Sequence, residues 1–248
     1  SSLSVLSEEE KEAGVCLIDI GGGTTDIAIF YENIIRHTAV IPLGGNIITA
    51  DIKEGCMLMQ NQAELLKTRF GKAIAAEANP NEIVSIPGLK NRAPKEISIR
   101  NLASIIQARM EEIIEIVQNE IMQSGYYKKL AGGIVLTGGG SQMQFIAQLF
   151  EYMTGLDTRI GFPNEHLGKS VLDEIKSPMY ATTVGLVLAG FKSLDMREEM
   201  YKTRIANTGV KPKIQGREGI SKDFFRNIGE RLKGIISDDI GDDTSYGN

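Results

Sequence analysis

Apolar positions along the chain change period several times, and each change marks an element. VCLIDI (15–20) is a continuous apolar run with β-branched residues, bounded by glycines 21–23, and predicts a buried strand. TDIAIFY (25–31) alternates apolar and polar positions, and IIRHTAVIPL (34–43) follows as a third run that stops at Gly44-Gly45. Three strands joined by short turns predict an antiparallel meander. From Asn46 the period lengthens, predicting helices over 46–59 and 61–76, the second broken by Asn79-Pro80. EIVSIPG (82–88) and KEISIR (95–100) are short strand patterns. The strongest helical pattern runs over 101–125, where Leu102, Ile105, Ile106, Met110, Ile113, Ile114, Val117 and Ile121 recur at three- and four-residue steps. Asn101 is its expected cap and Gly125 its expected end.

GGIVLTGGG (132–140) again predicts a strand running into a glycine turn. MQFIAQLFEYMTG (143–155) predicts a helix, TRIGFP (158–163) a strand, and 181–192 a further helix. Beyond Ser193 apolar order decays, and 193–221, with Arg197, Lys202, Arg204, Lys211, Lys213 and Arg217, reads as a flexible linker. A helical period returns over 222–236, and 237–248 is an acidic tail carrying Asp238, Asp239, Asp242 and Asp243.

Composition narrows the classes. The chain has 248 residues, a formal net charge of −5, 42% hydrophobic and 24% charged residues, which is ordinary for a globular protein and argues against a nucleic-acid partner. Cys16 and Cys56 form no CxxC pattern and sit in apolar segments, so buried reduced thiols and a cytosolic setting are expected. No stretch approaches a membrane span and the first residues lack a signal-peptide pattern. His37 and His166 have no ligand spacing, and no Ser/His/Asp set or metal cluster stands out.

The chemistry concentrates at two glycine clusters. Gly21, Gly22 and Gly23 lie between two strands, where successive backbone N–H groups make an anion-binding concavity and glycine permits positive φ. Thr24 and Thr25 add hydroxyls. Asp19, ending the first strand, is repelled by phosphate unless a cation intervenes, which marks it as a Mg²⁺ partner acting through water. GxxxxGK[ST] is absent, and GxGxxG would need a helix where a strand follows. Gly138, Gly139, Gly140 and Ser141 form the second cluster, also at a strand end, where open α/β sheets bind ligands and where a flat base can lie on glycine backbone. Glu64 and Lys67 share one helix face; they would receive ribose hydroxyls or a base, or else form an ordinary solvated ion pair.

Together these residues resemble the actin–chaperone–sugar kinase superfamily. Asp19–Thr25 resembles its second phosphate motif, Gly133–Ser141 its adenosine motif, Glu64 and Lys67 its E-x-x-K helix, and Lys176–Gly190 its second connecting helix. Within the superfamily, CLIDIGGGTTDIAIF, IPLGGNIITADI, AELLKTRFG, GGIVLTGGGSQM and TRIGFP are similar to the FtsA family of bacterial cell-division proteins. The resemblance covers about residues 13–192 and implies the second half of such a protein, with the first phosphate loop in a preceding half; the chain also begins without Met. It implies an actin-like (ribonuclease H-like) α/β fold with a mixed five-stranded sheet over 1–47 and 132–192, and an inserted small α+β subdomain over 48–131. It further implies ATP and Mg²⁺ as ligands, filament formation by self-association, slow turnover at most, and binding of the carboxy-terminal peptide of the tubulin-like FtsZ by the inserted subdomain. Arg100 and Arg109 are the candidates for that acidic peptide, the other reading being solvated cations. A small-molecule kinase, or a pilus-assembly or rod-shape ATPase of the same superfamily, is the alternative.

Phe224, Phe225, Ile228, Leu232, Ile235 and Ile236 fall within an arc of roughly 120° at helical spacing, with Arg226, Glu230 and Lys233 opposite. Such a helix suits a membrane surface, its other reading being a helix docked on protein. The resemblance implies a membrane-targeting helix here, placing the protein on the cytoplasmic face of the cell membrane at the division site. One copy would bind reversibly and an array firmly.

Overall fold

The structure is a computed structural model that describes residues 1–88, 93–163 and 173–208. Residues Ser1–Leu194 form one compact unit; Asp195–Asn248 form a second. The first unit opens with a four-residue turn of helix, α1 (Ser2–Val5), and with α2 (Glu8–Ala13). The second is started by Ser7, whose hydroxyl accepts from the Glu10 amide while the Glu10 carboxylate accepts from the Ser7 amide, so two otherwise unpaired donors are satisfied.

The sheet has five strands in the order β3-β2-β1-β6-β7. β1 (Val15–Ile20), β2 (Thr25–Tyr31) and β3 (Ile34–Ile41) form the antiparallel meander, while β6 (Ile134–Thr137) and β7 (Thr158–Ile160) add in parallel on the other side of β1. The period-two alternation of β1 has a direct consequence in packing. Cys16, Ile18 and Ile20 enter one core, and Val15 and Leu17 enter another on the opposite face. A strand buried on both faces reads as a continuous apolar run, which is why VCLIDI lacks polar alternation.

Between β3 and β6 the chain leaves the sheet. It forms α3 (Gly45–Gly55), α4 (Gln60–Phe70), the hairpin of β4 (Ile83–Ile86) and β5 (Lys95–Ser98), and α5 (Ile99–Gln123). α5 buries Leu102, Ile106, Met110, Ile113, Ile114, Val117 and Ile121 along one stripe. Each contributes about 1.5–3 kcal/mol of burial, which offsets a substantial part of the entropy lost in ordering the helix. α6 (Ile146–Thr154) follows β6, and α7 (Ala181–Thr208) ends the described chain.

Several boundaries differ from those expected. α4 stops at Phe70 rather than at residue 76, because the Ala73 amide donates to the Gln144 carbonyl and Lys72 bridges to Gln144, drawing the backbone out of the helix. α5 starts at Ile99, with Ser98 rather than Asn101 at its cap position, since burying Ile99 favours an earlier start. α6 starts at Ile146, after a 3₁₀ turn over Gly139–Gln142 and a left-handed Phe145. The linker expected from Ser193 is instead helix as far as Thr208. Residues 193–208 contain neither Gly nor Pro, and half of them are Leu, Met, Arg, Glu or Lys, whose propensity sustains a helix without apolar periodicity. The remainder of that linker, the amphipathic segment 222–236 with Phe224 through Ile236, the acidic tail and His166 lie outside the described residues.

Candidate functional site

The parallel register of β1 and β6 sets Asp19 beside Thr137. Both strands therefore end at the same edge, and the two glycine clusters emerge side by side. Gly138 adopts φ +84, and a Cβ there would lie 2.4 Å from Asp19 Oδ1 and 2.6 Å from the Ile20 carbonyl. A Cβ on Gly140 would stand 2.4 Å from Ile20 Cγ2. Glycine is required at both positions by close approach.

In the first cluster the requirement differs from expectation. None of Gly21, Gly22 or Gly23 has a positive φ. The turn closes through the Gly21 amide, which donates to the Thr24 carbonyl at 2.9 Å. Gly23 faces open space, so absence of side chains here keeps the backbone approachable. A brace holds the hairpin from behind. The Gly45 amide donates to the Gly21 carbonyl (2.9 Å) and the Asn46 amide to the Gly22 carbonyl (2.8 Å), and a Cβ on Gly44 would fall 2.7 Å from the first of these carbonyl oxygens. With its carbonyls tied back, the hairpin has its remaining N–H groups free for an anion.

Two side chains expected to face a ligand, those of Thr25 and Ser141, are turned into the protein. Thr25 is fully buried and donates to the Leu43 carbonyl at 2.8 Å, anchoring the end of β3. Ser141, also buried, donates to the Gly138 carbonyl at 2.8 Å and shapes its turn. Lys67 donates to the Gly45 carbonyl (2.9 Å), Thr49 Oγ1 (2.8 Å) and Glu64 Oε2 (2.8 Å). Thr24, exposed, donates to Asp26 at 3.1 Å.

A cavity of about 410 Å³ joins the elements that sequence alone suggested belong together: Gly21 and Gly22, Glu64 and Lys67, Gly139 and Gly140 all line it. That size is typical of a small-molecule site. Gly45, Asn46 and Met110, which the sequence reading did not assign to the site, line it too; the Gly44-Gly45 pair that opens α3 was the visible signal for the first two, and nothing in the sequence marked Met110. A larger depression of about 660 Å³ lies beyond Gln142 and Met143, walled by Phe145, Ile146 and Ile160, and of the expected residues only Ser141 reaches it.

Glu64 is half-exposed. Burial works against its charge, but hydrogen bonds from Lys67 and Thr49 together with the lysine's charge prevail and hold the carboxyl below its ordinary pKa. It therefore presents an anionic acceptor at neutral pH. Asp19 Oδ2 accepts from the Thr182 hydroxyl of α7 at 2.9 Å. Among the described residues no three His, Cys, Asp or Glu side chains converge to hold a metal. Asp19 is not among the residues that line the cavity, and a single carboxylate in this position suits a Mg²⁺ held mainly by water and ligand oxygens rather than an all-protein metal cage.

The two arginines lie outside this cavity. Arg109 grips Asp51 of α3 with Nε at 2.6 Å and Nη2 at 3.0 Å, and also pairs with Glu112. It is a cross-link between α5 and α3 rather than the solvated cation considered from sequence. Arg100 is exposed, with a 3.5 Å contact to the Ala78 carbonyl. His37 pairs with Glu120 of α5 at 3.3 Å.

Comparisons with known proteins agree with the fold and its motifs. The family model described as "Cell division protein FtsA" matches residues 16–185. The chain is 43% identical to the FtsA of Pseudomonas aeruginosa over 192 residues, covering 77% of this chain and 46% of that protein. It is 38% identical to that of Escherichia coli K12 over 217 residues, covering 84% and 51%. The chain thus spans about half the length of the curated relatives it matches. Among solved structures, MreB5 of Spiroplasma citri bound to ADP aligns with a TM-score of 0.63 at 22% identity, over 80% of this chain and 59% of that one. A PilM-PilN type IV pilus biogenesis complex aligns at 0.52 and 18% identity, over 73% and 47%. These structural likenesses carry the actin-like fold, and the sequence matches carry the family: the chain belongs to the FtsA family of cell-division proteins.

Proposed function

We propose that this chain forms one wall of an ATP and Mg²⁺ site in a filament-forming division protein that ties FtsZ to the cytoplasmic face of the cell membrane at the division site. The observation that carries the nucleotide part is the single cavity shared by the braced glycine hairpin, the Glu64 carboxylate and the Gly139-Gly140 turn. Hairpin amides would take the phosphates, Glu64 the ribose hydroxyls, and the second glycine turn the base. Mg²⁺, when bound, supplies positive charge that offsets the phosphates; Asp19 would hold it through water. The solved MreB5 structures carry ADP and AMPPNP in the same fold, which supports the choice of ligand.

Peptide binding falls to the exposed face of the inserted segment around Arg100, since Arg109 is engaged with Asp51. Membrane tethering rests on the amphipathic period of 222–236. The test of the nucleotide reading is calorimetric titration of the full-length gene product with ATP in Mg²⁺. Binding that weakens at least about tenfold in Asp19→Ala when Mg²⁺ is present, and little in EDTA, is expected; absence of any nucleotide binding by the unmutated protein would overturn the reading.

A further inference from the structure

Asp19 lies at the carboxyl end of β1, between the two glycine turns. Ile20 and Gly21, which follow it, line the cavity, and so does Gly139, two residues beyond its β6 neighbour Thr137. The carboxylate is held on both sides. Its Oδ1 sits in room that only a glycine at 138 leaves, since a Cβ there would lie 2.4 Å away. Its Oδ2 accepts from the Thr182 hydroxyl at 2.9 Å, and among the described residues Thr182 is the one side chain that hydrogen-bonds this carboxylate. A carboxylate has about four lone-pair sites, so one donor leaves most of them to other partners. The donor is itself anchored. Thr182 lies in the first turn of α7. Just before that helix the Pro178 carbonyl accepts from the Gly138 amide (3.2 Å) and the Ser177 hydroxyl donates to Gln142 Oε1 (3.1 Å); at its start the Ala181 carbonyl accepts from the Ser4 hydroxyl (2.6 Å). The start of α7 is therefore fixed to the same sheet edge as Asp19.

Resting on the ATP and Mg²⁺ reading above, we infer that Thr182 is a positioning residue for the metal: its hydroxyl fixes the Asp19 carboxylate through Oδ2, and the carboxylate's remaining lone pairs are left to accept from the water shell of the ion. Thr182 acts through Asp19 and touches neither the ion nor the nucleotide. A carboxylate that serves a metal is oriented by the hydrogen bonds it accepts from the protein, and deleting such a partner typically costs about ten- to a hundredfold in metal affinity. Contact through water is weaker than direct coordination, so the lower end of that range applies. The hydroxyl, not the bulk of the side chain, carries the effect. Serine therefore substitutes for threonine, and valine, which has the same shape without the donor, does not.

The experiment measures ATP affinity by calorimetry on the full-length gene product, in EDTA and over a series of Mg²⁺ concentrations, for the unmutated form, Thr182→Val, Thr182→Ser, Asp19→Ala and the Asp19→Ala/Thr182→Val double variant. In Thr182→Val the Mg²⁺ concentration that gives half of the metal-dependent gain in affinity should rise about tenfold, while affinity in EDTA stays as it was. Thr182→Ser should keep the unmutated midpoint. Once Asp19 is alanine, Thr182→Val should add nothing. An unchanged midpoint in Thr182→Val overturns the inference, and so does a lower one, which would mean that Thr182 holds the carboxylate away from the ion. A loss of the same size in EDTA would reduce Thr182 to a tether of α7. Should Thr182→Val not fold, Thr182→Ala read against Thr182→Ser decides. If the unmutated protein binds ATP without any dependence on Mg²⁺, the metal reading fails and this inference with it. If it binds no ATP at all, the nucleotide reading itself fails, a result distinct from the others.

Discussion

Asp51 and Arg109 meet through two parallel hydrogen bonds, 2.6 and 3.0 Å long, and this pair is the polar bolt between α3 and α5. Both side chains are about three-quarters covered, at 25% and 24% exposure. A two-point guanidinium–carboxylate contact is the strong form of such a bond. Arg109→Met should lower stability by about 1–2 kcal/mol in urea unfolding. Asp51→Asn in the same background should add little, because the partner is already gone. Equal and additive losses would mean that the two residues act separately.

Gly138 and Gly140 of the second cluster differ sharply from Gly23 of the first. Gly138→Ala and Gly140→Ala each place a methyl group 2.4 Å from an existing atom, and Gly138 also needs φ +84. Each should cost about 1–3 kcal/mol or more. Gly23→Ala meets nothing within 4 Å and should change the melting temperature little. Thermal denaturation of the three variants side by side checks the contrast; a similar loss in all three would contradict it.

Acid should weaken the fold partly through Glu10. Burial opposes its charge, but the Arg159 guanidinium, held to it at 2.6 and 2.7 Å, and the Ser7 amide outweigh that and hold the carboxyl below its ordinary pKa. A group whose folded pKa is depressed stabilises the fold above its unfolded pKa, and loses that contribution as pH falls through the folded value. Stability should therefore decline as pH drops below the ordinary glutamate range, and Glu10→Gln should flatten that part of the curve. Chemical denaturation from pH 7 down to pH 3 measures the slope; an unchanged slope in Glu10→Gln removes Glu10 from the account.

Neither cysteine should behave as a reactive thiol in the native protein. Cys16 is completely buried in the central strand, and burial pushes its pKa far above the ordinary range; Cys56, at the end of α3, is pushed up to a lesser degree, with Lys95 working against the shift. With a thiol reagent at neutral pH, Cys56 should label first and Cys16 only at the rate of global unfolding. Rapid modification of Cys16 would be incompatible with its place in β1.

Deletion of 222–248 from the full-length gene product should release it from anionic liposomes in a flotation assay. Phe224, Phe225, Ile228, Leu232, Ile235 and Ile236 together form the apolar face that would enter the lipid. Undiminished flotation after the deletion would end the tethering proposal.

What could be read from sequence was what depends on local period. The β1–β2–β3 meander, α5 and the glycine turns show themselves as runs of apolar residues and their interruptions. The meeting of Gly21 with Gly139 was legible because both clusters end strands, and strands of one sheet share an edge. The direction of individual side chains was not. Thr25 and Ser141 each carry one hydroxyl proton, and which carbonyl receives it depends on Leu43 arriving beyond the end of β3 and on the turn that brings the Gly138 carbonyl back to Ser141. Lys67 lines the cavity, but spacing could not tell that Gly45 and Thr49 would also accept from its ammonium group. α4 ended early because of Gln144, a partner far along the chain, and α7 ran on because helix propensity needs no apolar stripe.

The position of β1 also has a consequence in time. Its antiparallel neighbour β2 follows after four residues, Gly21–Thr24, but its parallel neighbour β6 arrives only after the whole excursion through α3, α4, the β4–β5 hairpin and α5. Closing a long stretch of chain costs more entropy than closing a hairpin, and pairings distant in sequence form slowly. On this argument the first glycine turn should form early in folding and the groove beside it late. A ligand that needs both glycine turns at once is recognised only by a chain that has completed that excursion, so binding doubles as a report that the intervening segment has folded.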